Sequence, residues 1–440
     1  MNEKTIFKSR WGFILASVGS AVGMANVWGF PNKLGSNGGG AFLIAYLFFI
    51  FIFSYVGLPS EFAIGRRSRT GTLGSYEEAW KSRGEKYKKF GSFVGWIPLI
   101  GSLTLAIGYA IIVSYVLKAL FDSVNGVLMV SETNQWFESF SLTPFSVVEY
   151  HIIIIALVLL SLIFGVKSIE KSNSIMMPVF FVIFVILAVR VVFLPNVLEG
   201  YIFMLVPRWE HLLNPMVWIW AMGQAFFSLS ITGSGMIAYG AYLDDKESVI
   251  SIAKNTAIFD TIAAIVAAFV IIPACFSYGV KVGAGPGLLF VTIPNILKDI
   301  PFGNLFAILL FVAMVFAGIS SLQNMLEAVV ESITFKFKNV NRKVVLGIFA
   351  FICIIIGIFI EPIYKWGPWM DFICIYIIPI GATIGAISWF WIMKKEDLLF
   401  EINKSQLKNK GNVWHFIGKY IYVPFAIILC FVAVFMKVAF

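Results

Sequence analysis

Charged residues are scarce in this sequence. Asp, Glu, Lys and Arg make up only 13% of its 440 residues, whereas hydrophobic residues make up 59%. A soluble domain carries about 25% charged residues, so the composition excludes an ordinary soluble globule and favours a chain surrounded by a lipid bilayer. The net charge of +9 does not indicate a nucleic-acid partner, because the basic residues form short clusters between apolar runs, as in membrane loops.

Cysteine and histidine are too few and too scattered to suggest a metal or redox centre. The four cysteines lie within apolar runs and form no CxxC pair, which is typical of small buried residues. The three histidines are far apart in the chain, and no catalytic Ser/His/Asp set or phosphate-binding loop is apparent. These absences argue against an enzyme. The polar start, MNEKTIFKSR, also argues against a signal peptide.

Long apolar runs fill most of the chain. Crossing the hydrocarbon core takes about 20 mostly apolar residues, and at this length only a helix satisfies its own backbone polar groups. We predict eleven transmembrane helices and no separate soluble domain. The predicted spans lie near residues 11–34, 41–64, 90–121, 148–166, 174–195, 216–243, 248–278, 303–333, 344–361, 369–393 and 416–438.

The basic residues predict the orientation of these helices. If the N-terminus is cytoplasmic, 25 of the 33 Lys and Arg residues fall on the cytoplasmic side. They occupy the start of the chain and segments 66–89, 167–171, 246–254, 336–343 and 394–419. We therefore predict a multi-pass inner-membrane protein with a cytoplasmic N-terminus and, after an odd number of helices, an extracytoplasmic C-terminus.

Two spans carry small and polar residues at their centres. The first span contains GSAVGMAN at 19–26, and the sixth contains SLSITGSG at 228–235. Glycine disfavours a helix by about 1 kcal/mol relative to alanine, so such runs favour local unwinding. Small residues also permit close helix packing, so either run alone has a simpler explanation. Interruptions five spans apart indicate two five-helix halves with a binding site between them near the membrane midplane.

Motifs along the whole chain resemble the neurotransmitter:sodium symporter family. They are RWGFILA (10–16), GSAVGMANVWGFP (19–31), NGGGAF (37–42), EFAIGRRSRTG (61–71), GQAFFSLS (223–230), GPGLLFVTIP (285–294) and FAGISS (316–321). The resemblance implies an all-α polytopic membrane protein with the LeuT-type fold in its eleven-helix bacterial form. One transporter domain would then span residues 1–440, with helices one and six broken, inverted repeats at about 11–195 and 216–393, and an extra helix at 416–438.

The resemblance further implies sodium-coupled symport of an amino acid by alternating access, with two sodium sites. Backbone carbonyls and side-chain oxygens would replace the hydration shell of each ion. The first sodium site would be formed by Ala21, Asn26, Ser228 and Asp260. The second sodium site would be formed by Gly19, Val22, Ala317, Ser320 and Ser321.

Asp260 stands where the family often has asparagine, and Ala264 stands where chloride-dependent relatives have serine. A carboxylate at membrane depth costs about 2.5–3.5 kcal/mol, so Asp260 is expected to face a cation. It would supply the negative charge that chloride supplies elsewhere, which predicts chloride-independent transport. The alternative is a helix-end residue near the cytoplasm.

The implied substrate site binds a carboxylate through Tyr109 and the amides of Met24 and Ala25. Gly23 stands where amine-only transporters have aspartate, so the substrate is expected to bring its own carboxylate, as an amino acid does. Gly233 replaces a bulky residue of some relatives, which favours a neutral substrate with a hydrophobic or aromatic side chain. The complete predicted set is Ser20, Ala21, Met24, Ala25, Leu105, Tyr109, Phe227, Ser228, Ser230, Gly233, Ser321 and Met325.

The outer gate departs from the family pattern. Relatives have arginine in WRFP where this chain has Gly29 in WGFP, although the partner aspartate is matched by Asp371. Lys33 could replace the arginine or could be a solvated loop residue. Closure around Phe227 and Tyr109 is a further alternative.

Two other functions fit the same fold. A non-transporting amino-acid sensor would explain the missing arginine, and a proton-coupled amino-acid carrier would use protons in place of sodium. Proton-coupled proteins of this fold usually carry a basic side chain where this chain has Ser320 and Ser321, which favours sodium. We interpret two further intramembrane acids, Glu61 and Glu327, as structural hydrogen-bond anchors. The oligomeric state is not predicted.

Overall fold

Helices make up the secondary structure of the chain in the computed structural model, which describes residues 6–280, 282, 285–406 and 408–439. Within these residues the only strand-like pairing is an isolated bridge between Gly39 and Pro207. We number the long helices by the predicted spans that they occupy. Helix 1 comprises Arg10–Ala21 and Ala25–Ser36, helix 2 Gly40–Ser68, helix 3 Glu85–Val124, helix 4 Val148–Leu162, helix 5 Val166–Val192, helix 6 Pro215–Ser228 and Gly235–Gly240, helix 7 Val249–Ser277, helix 8 Gly303–Lys336, helix 9 Arg342–Ile360, helix 10 Ile363–Ile392 and helix 11 Asn412–Met436.

Eight of these helices are long and apolar enough to cross a membrane by themselves, judged over the described residues. The two halves of helix 1, bent by 55° at their break, form a ninth span. Helix 4 is apolar but has only 15 residues, and helix 6 is divided by residues 229–234. Each of the eleven predicted spans therefore contains helix, but two of them fall short of the usual spanning length.

Shorter helices lie between the long ones. They are Thr72–Lys81, Val127–Val130, Thr133–Ser141, Val197–Leu205, Trp209–Leu213, Leu288–Lys298 and Lys395–Asn403. All of them lie in stretches that the sequence analysis left outside the spans.

Polar side chains begin several of the helices. Ser9 accepts a hydrogen bond from the Gly12 amide (2.9 Å) at the start of helix 1, and its hydroxyl donates to Glu170 of helix 5 (2.9 Å). Ser248 accepts from the Ser251 amide (3.1 Å) at the start of helix 7. Such caps satisfy amides that have no partner within the helix. They fix the starts of helices 1 and 7 where the basic loops meet the apolar runs.

Glycines bring the inner half of helix 6 close to helix 2. A Cβ atom at Gly65 would lie 2.1 Å from the Ile237 carbonyl oxygen, and one at Gly240 would lie 2.5 Å from the Phe62 carbonyl oxygen. Small residues at a helix interface allow the backbones to approach in this way. The short inner half of helix 6 is therefore packed directly on the backbone of helix 2.

Contacts between loops gather the basic segments at one end of the molecule. Arg66 is buried, with its Nε 2.5 Å from Glu401 Oε1, and it also donates to the Glu247 carbonyl (2.6 Å). Lys336 pairs with Glu77 (2.9 Å). We call this end the basic face. It includes residues 8–10, which contact Glu170, the start of helix 11, and segments 66–89, 167–171, 246–254, 336–343 and 394–404.

Candidate functional site

The break in helix 1 leaves backbone groups that hydrogen-bond to side chains of neighbouring helices instead of within the helix. Helix 1 stops at Ala21, because Val22 adopts an extended conformation (φ −73°, ψ 109°). Beyond it, the Met24 amide donates to the hydroxyl oxygen of Tyr109 on helix 3 (2.8 Å). The carbonyls of Ser20 and Val22 each lie within 3.5 Å of the Ser321 hydroxyl of helix 8. An amide and several carbonyls are thus turned toward helices 3 and 8.

The break in helix 6 is held by side chains of neighbouring helices. Ser230 (φ 52°) and Gly233 (φ 75°) both adopt the left-handed conformation, which interrupts the helix. The Gly233 amide donates to Glu61 Oε1 (2.8 Å), and its carbonyl accepts from the Tyr76 hydroxyl (3.2 Å). The Ser230 hydroxyl donates to the Ser20 carbonyl (3.1 Å). The two breaks therefore contact each other.

Three residues of the predicted first sodium site form one buried cluster. Asn26, Ser228 and Asp260 are each fully buried. The Asn26 amide nitrogen lies 2.7 Å from Asp260 Oδ1, and the Ser228 hydroxyl lies 2.7 Å from Asp260 Oδ2. The Tyr46 hydroxyl donates to Ser228 (3.2 Å). The cluster holds carboxylate and hydroxyl oxygens, which suit a small cation, while the Asn26 side-chain oxygen accepts from the Gly23 amide (3.2 Å).

The predicted second site lies where helix 8 meets helix 1. The Ser321 hydroxyl points at the helix 1 carbonyls, whereas the Ser320 hydroxyl donates back to the Ala317 carbonyl three residues earlier (3.0 Å). Helix 1 approaches closely here: a Cβ at Gly19 would lie 2.1 Å from Asn173 Oδ1 of helix 5 and 3.0 Å from Ser320 Cβ. The predicted carbonyls and hydroxyls are therefore neighbours in the fold.

A central cavity lies between the two breaks. Nine of the predicted substrate-binding residues line it: Ser20, Ala21, Ala25, Leu105, Tyr109, Phe227, Ser230, Ser321 and Met325. The other three lie elsewhere. Ser228 belongs to the buried cluster around Asp260, and Met24 lines a separate cavity further out. Gly233 packs against helix 10 and Tyr76. A Cβ atom at this position would lie 2.7 Å from the Gly381 carbonyl oxygen and 2.7 Å from the Tyr76 hydroxyl.

Five lining residues were not predicted. They are Gly23, Ser102, Thr232, Gly235 and Asn324. Helical spacing could have identified two of them, because Ser102 precedes Tyr109 by seven residues and Asn324 follows Ser321 by three, so each shares a helix face with a predicted residue. Thr232 gives no such signal, because it lies in the non-helical segment.

A second cavity adjoins the central one, and we name it the outer vestibule after the side that it would face in the predicted orientation. Its lining includes Trp28, Gly29, Lys33, Gln224 and Trp366. Three residues line both cavities and therefore separate them: Ala25, Tyr109 and Phe227. A Cβ at Gly29 would meet no atom closer than 3.9 Å, so the position of the family arginine has room for a side chain.

The residues discussed for the outer gate lie in different surroundings. Lys33 is half-buried, with its Nζ 4.6 Å from the centre of the Trp220 ring, so it is not a solvated loop residue. Such a cation–π contact stabilises a cation that is partly removed from water. Asp371 is exposed on helix 10.

Glu327 acts as a structural anchor on helix 8. It accepts a hydrogen bond from the Tyr242 hydroxyl (2.6 Å) and pairs with Arg342 of helix 9 (2.5 Å). Glu61 anchors the helix 6 break, as described above.

Within the described residues, no group of three or more His, Cys, Asp or Glu side chains could hold a metal ion. A cation site that includes the Asp260 carboxylate would therefore take its other ligands from carbonyl, hydroxyl and side-chain amide oxygens.

Comparisons with known proteins agree with this geometry. The profile of the sodium:neurotransmitter symporter family matches residues 4–145 and 137–439. The uncharacterized sodium-dependent transporter YhdH of Bacillus subtilis is 30% identical over 443 residues, covering 96% of each chain. The sodium-dependent dopamine transporter of Bos taurus is 24% identical over 391 residues, covering 77% of this chain and 55% of the relative.

A solved structure extends the similarity to the whole fold. The crystal structure of MhsT in complex with L-phenylalanine matches with a TM-score of 0.88 at 30% identity, covering 98% of this chain and 100% of the other. The predicted LeuT-type helical fold is confirmed, and the protein is a sodium-dependent transporter rather than an enzyme. The chain belongs to the sodium:neurotransmitter symporter family.

Proposed function

We propose that this protein couples the inward movement of sodium to the uptake of a neutral amino acid with a hydrophobic or aromatic side chain, without requiring chloride. The observation that carries this proposal is the pair of facing breaks in helices 1 and 6, where the Met24 amide meets Tyr109 and the Ser230 hydroxyl meets the Ser20 carbonyl. Backbone groups released at matching depth can bind a zwitterion and a cation together.

Two sodium ions would bind beside the breaks. The first would take oxygens from the Ala21 carbonyl, Asn26, Ser228 and Asp260, the last three already within one buried cluster. The second would take carbonyls of Gly19, Val22 and Ala317 with the hydroxyls of Ser320 and Ser321. A sodium ion there would bind a lone pair of the Ser320 hydroxyl oxygen, whose O–H donates to the Ala317 carbonyl.

The amino acid would lie in the central cavity. Its carboxylate would accept from Tyr109 and the amides of Met24 and Ala25, and its amino group would donate to the Ala21 and Phe227 carbonyls and Ser230. Leu105, Phe227 and Met325 line the same cavity with apolar surface, which suits a hydrophobic or aromatic side chain. The complex of MhsT with L-phenylalanine supports this class.

The basic face would be cytoplasmic and the outer vestibule extracytoplasmic, by the distribution of Lys and Arg. The five-helix halves, residues 11–195 and 216–393, would move relative to one another to alternate access. Lys33 would supply an outer cation in place of the family arginine, with Asp371 as the proposed partner when the gate closes. Tyr109 and Phe227 would form the inner layer of that gate.

Coupling to two ions gives the transporter a large driving force. A tenfold sodium gradient supplies about 1.4 kcal/mol per ion, and 100 mV supplies about 2.3 kcal/mol more. Two ions together supply about 7 kcal/mol, enough to concentrate a neutral substrate by about 10⁵.

Uptake by proteoliposomes tests the proposal. We expect labelled phenylalanine to accumulate with an inward sodium gradient and not with potassium, at the same rate in chloride and gluconate. Ser320→Ala should raise the half-saturating sodium concentration about tenfold, because one ion ligand worth about 1.4 kcal/mol is removed. Ser123→Ala is the matched control, since Ser123 is also buried and bonds back to its own helix (2.7 Å). Uptake driven by a proton gradient without sodium would contradict the proposal.

A separate prediction concerns chloride. Asp260→Asn keeps the shape of the buried cluster but removes its negative charge, and Asp260→Ser also leaves room for an anion. We expect both variants to lose uptake in gluconate and Asp260→Ser to recover part of it in chloride, because a buried cation then needs another counter-charge. Chloride-independent uptake at the parent rate by both variants would show that the carboxylate has no such role.

A further inference from the structure

We propose that the basic face carries a binding site for the headgroup of an anionic phospholipid, between the ends of helices 10 and 11. The site lies apart from the central cavity and does not depend on the identity of the transported substrate. It is a cavity of about 500 Å³.

Three cationic side chains from separate segments line this cavity. Arg83 follows the Thr72–Lys81 helix, Lys395 follows helix 10, and Lys419 lies in the first turns of helix 11. Arg83 is held in place because its guanidinium donates to the carbonyls of Trp391 (3.3 Å) and Ile392 at the end of helix 10. The convergence of three cations on one cavity favours an anionic ligand.

Two helix N-termini add to the positive potential of the cavity. Lys395 is the first residue of Lys395–Asn403, and Asn412 is the first residue of helix 11; both residues line the cavity. Neither helix has a side-chain cap at its start. The amides of an uncapped first turn carry partial positive charge and bind phosphate oxygens in many proteins.

His415 also lines this cavity and is 8% exposed. Its Nε2 has no hydrogen-bond partner among the described residues, but this nitrogen is closed off from the open space of the cavity. The three cations and the helix N-termini are therefore the groups that would contact the ligand. The nearby acids do not cancel the cations: Glu396 is exposed, and Asp397 pairs with Arg67 (3.0 Å).

Aromatic side chains on the rim indicate that the anion is attached to a lipid. Trp391, Phe416 and Tyr420 line the cavity and are 40%, 55% and 56% exposed. The Phe416 and Tyr420 rings pack together, with their centroids 4.8 Å apart. Tryptophan and tyrosine at such positions contact the boundary between headgroups and acyl chains. An inorganic anion would leave this apolar rim uncovered, whereas acyl chains would cover it.

Titration of the purified full-length protein tests the site. We would add dioctanoyl phosphatidylglycerol, dioctanoyl phosphatidylcholine or inorganic phosphate to delipidated protein in detergent, and measure bound lipid by native mass spectrometry and the unfolding temperature. The test variant is Lys395→Gln/Lys419→Gln. The matched control is Lys338→Gln/Lys343→Gln, which removes two exposed lysines of the basic face outside the cavity.

We expect phosphatidylglycerol to bind the parent protein and to raise its unfolding temperature more than phosphatidylcholine does. The test variant should bind it about thirtyfold more weakly, because each lysine contributes about fivefold to affinity for an anionic lipid. The control should change affinity less than twofold. Equal binding by the test variant and the parent would overturn the site, and so would equal binding of both lipids. If inorganic phosphate stabilises the parent as strongly as phosphatidylglycerol, the ligand is a soluble anion and the lipid proposal fails.

Discussion

At the scale of single residues, two glycines of helix 1 have opposite requirements. A Cβ at Gly23 would lie 2.4 Å from the Tyr109 hydroxyl and 2.7 Å from the Ser321 hydroxyl, whereas one at Gly29 would meet no atom closer than 3.9 Å. The first glycine is needed because two polar side chains approach the backbone there. The second is not required by packing.

This contrast gives a matched pair of substitutions. Gly23→Ala should weaken apparent substrate affinity about tenfold, because displacing the Tyr109 hydroxyl removes its proposed hydrogen bond to the substrate carboxylate, worth about 1.4 kcal/mol. Gly29→Ala should leave affinity within about twofold of the parent. Binding of labelled phenylalanine to purified protein by scintillation proximity measures both. Parent-like affinity in Gly23→Ala would show that the Tyr109 contact is not part of the substrate site.

Residue types and motif order predicted most of the candidate site. Asn26, Ser228 and Asp260 were placed together from the resemblance, and they form one cluster in the structure. Lys33 was left undecided, because its contact with Trp220 joins residues far apart in sequence. A single sequence carries no record of such a pairing, whereas helical spacing could have revealed Ser102 and Asn324.

At the scale of elements, the break in helix 6 depends on helix 2. The Gly233 amide lies in the non-helical segment and donates to Glu61 Oε1 (2.8 Å), so its hydrogen-bond acceptor belongs to helix 2. Small and polar residues predicted that this segment would unwind. They did not reveal that a carboxyl group of helix 2 holds the unwound form.

Removal of that acceptor should destabilise the break. Glu61→Ala leaves the buried Gly233 amide without its acceptor, which costs about 1–3 kcal/mol. We expect a lower unfolding temperature and weaker sodium-dependent stabilisation by phenylalanine. Glu61→Gln keeps an acceptor oxygen at the same position and should retain most of both. If Glu61→Ala and Glu61→Gln lower the unfolding temperature and the stabilisation equally, the hydrogen bond to Gly233 does not stabilise the break.

At the scale of the whole molecule, buried charge pairs join segments distant in sequence at the basic face. The Arg66 and Glu401 side chains are 0% and 2% exposed, whereas the neighbouring pair of Arg67 and Asp397 is 23% and 34% exposed. Removing one partner of a buried pair costs about 3–5 kcal/mol, but exposed pairs contribute about 0–1 kcal/mol.

Substitutions of two adjacent arginines, Arg66 and Arg67, should therefore have different effects on thermal unfolding in detergent. Arg66→Ala should lower the unfolding temperature by several times as much as Arg67→Ala, because only the former removes a fully buried partner of a buried carboxylate and leaves Glu401 with the partly exposed Lys404 alone. Arg66→Ala/Glu401→Gln should recover part of the loss. Equal effects of the two single substitutions would mean that burial does not set the strength of these pairs.

The overall architecture was predictable from hydrophobicity, because lipid permits only long apolar helices between polar loops. Each predicted span contains helix, yet helix 4 has only 15 residues and helix 6 is divided. Hydropathy averages over a window, so it does not show where a helix stops within an apolar run. Helix ends depend on caps and on contacts with other helices.

The wall between the central cavity and the outer vestibule has consequences for the rate at which substrate exchanges. Ala25, Tyr109 and Phe227 line both spaces, so the wall is one layer of side chains thick. On the opposite side, charge pairs and packed glycines connect several helices. Rotation of the single Phe227 ring can open the wall toward the outer vestibule. The packed side toward the basic face opens only when whole helices separate. Release toward the basic face is therefore expected to be the slow half of the transport cycle, and entry from the vestibule the fast half.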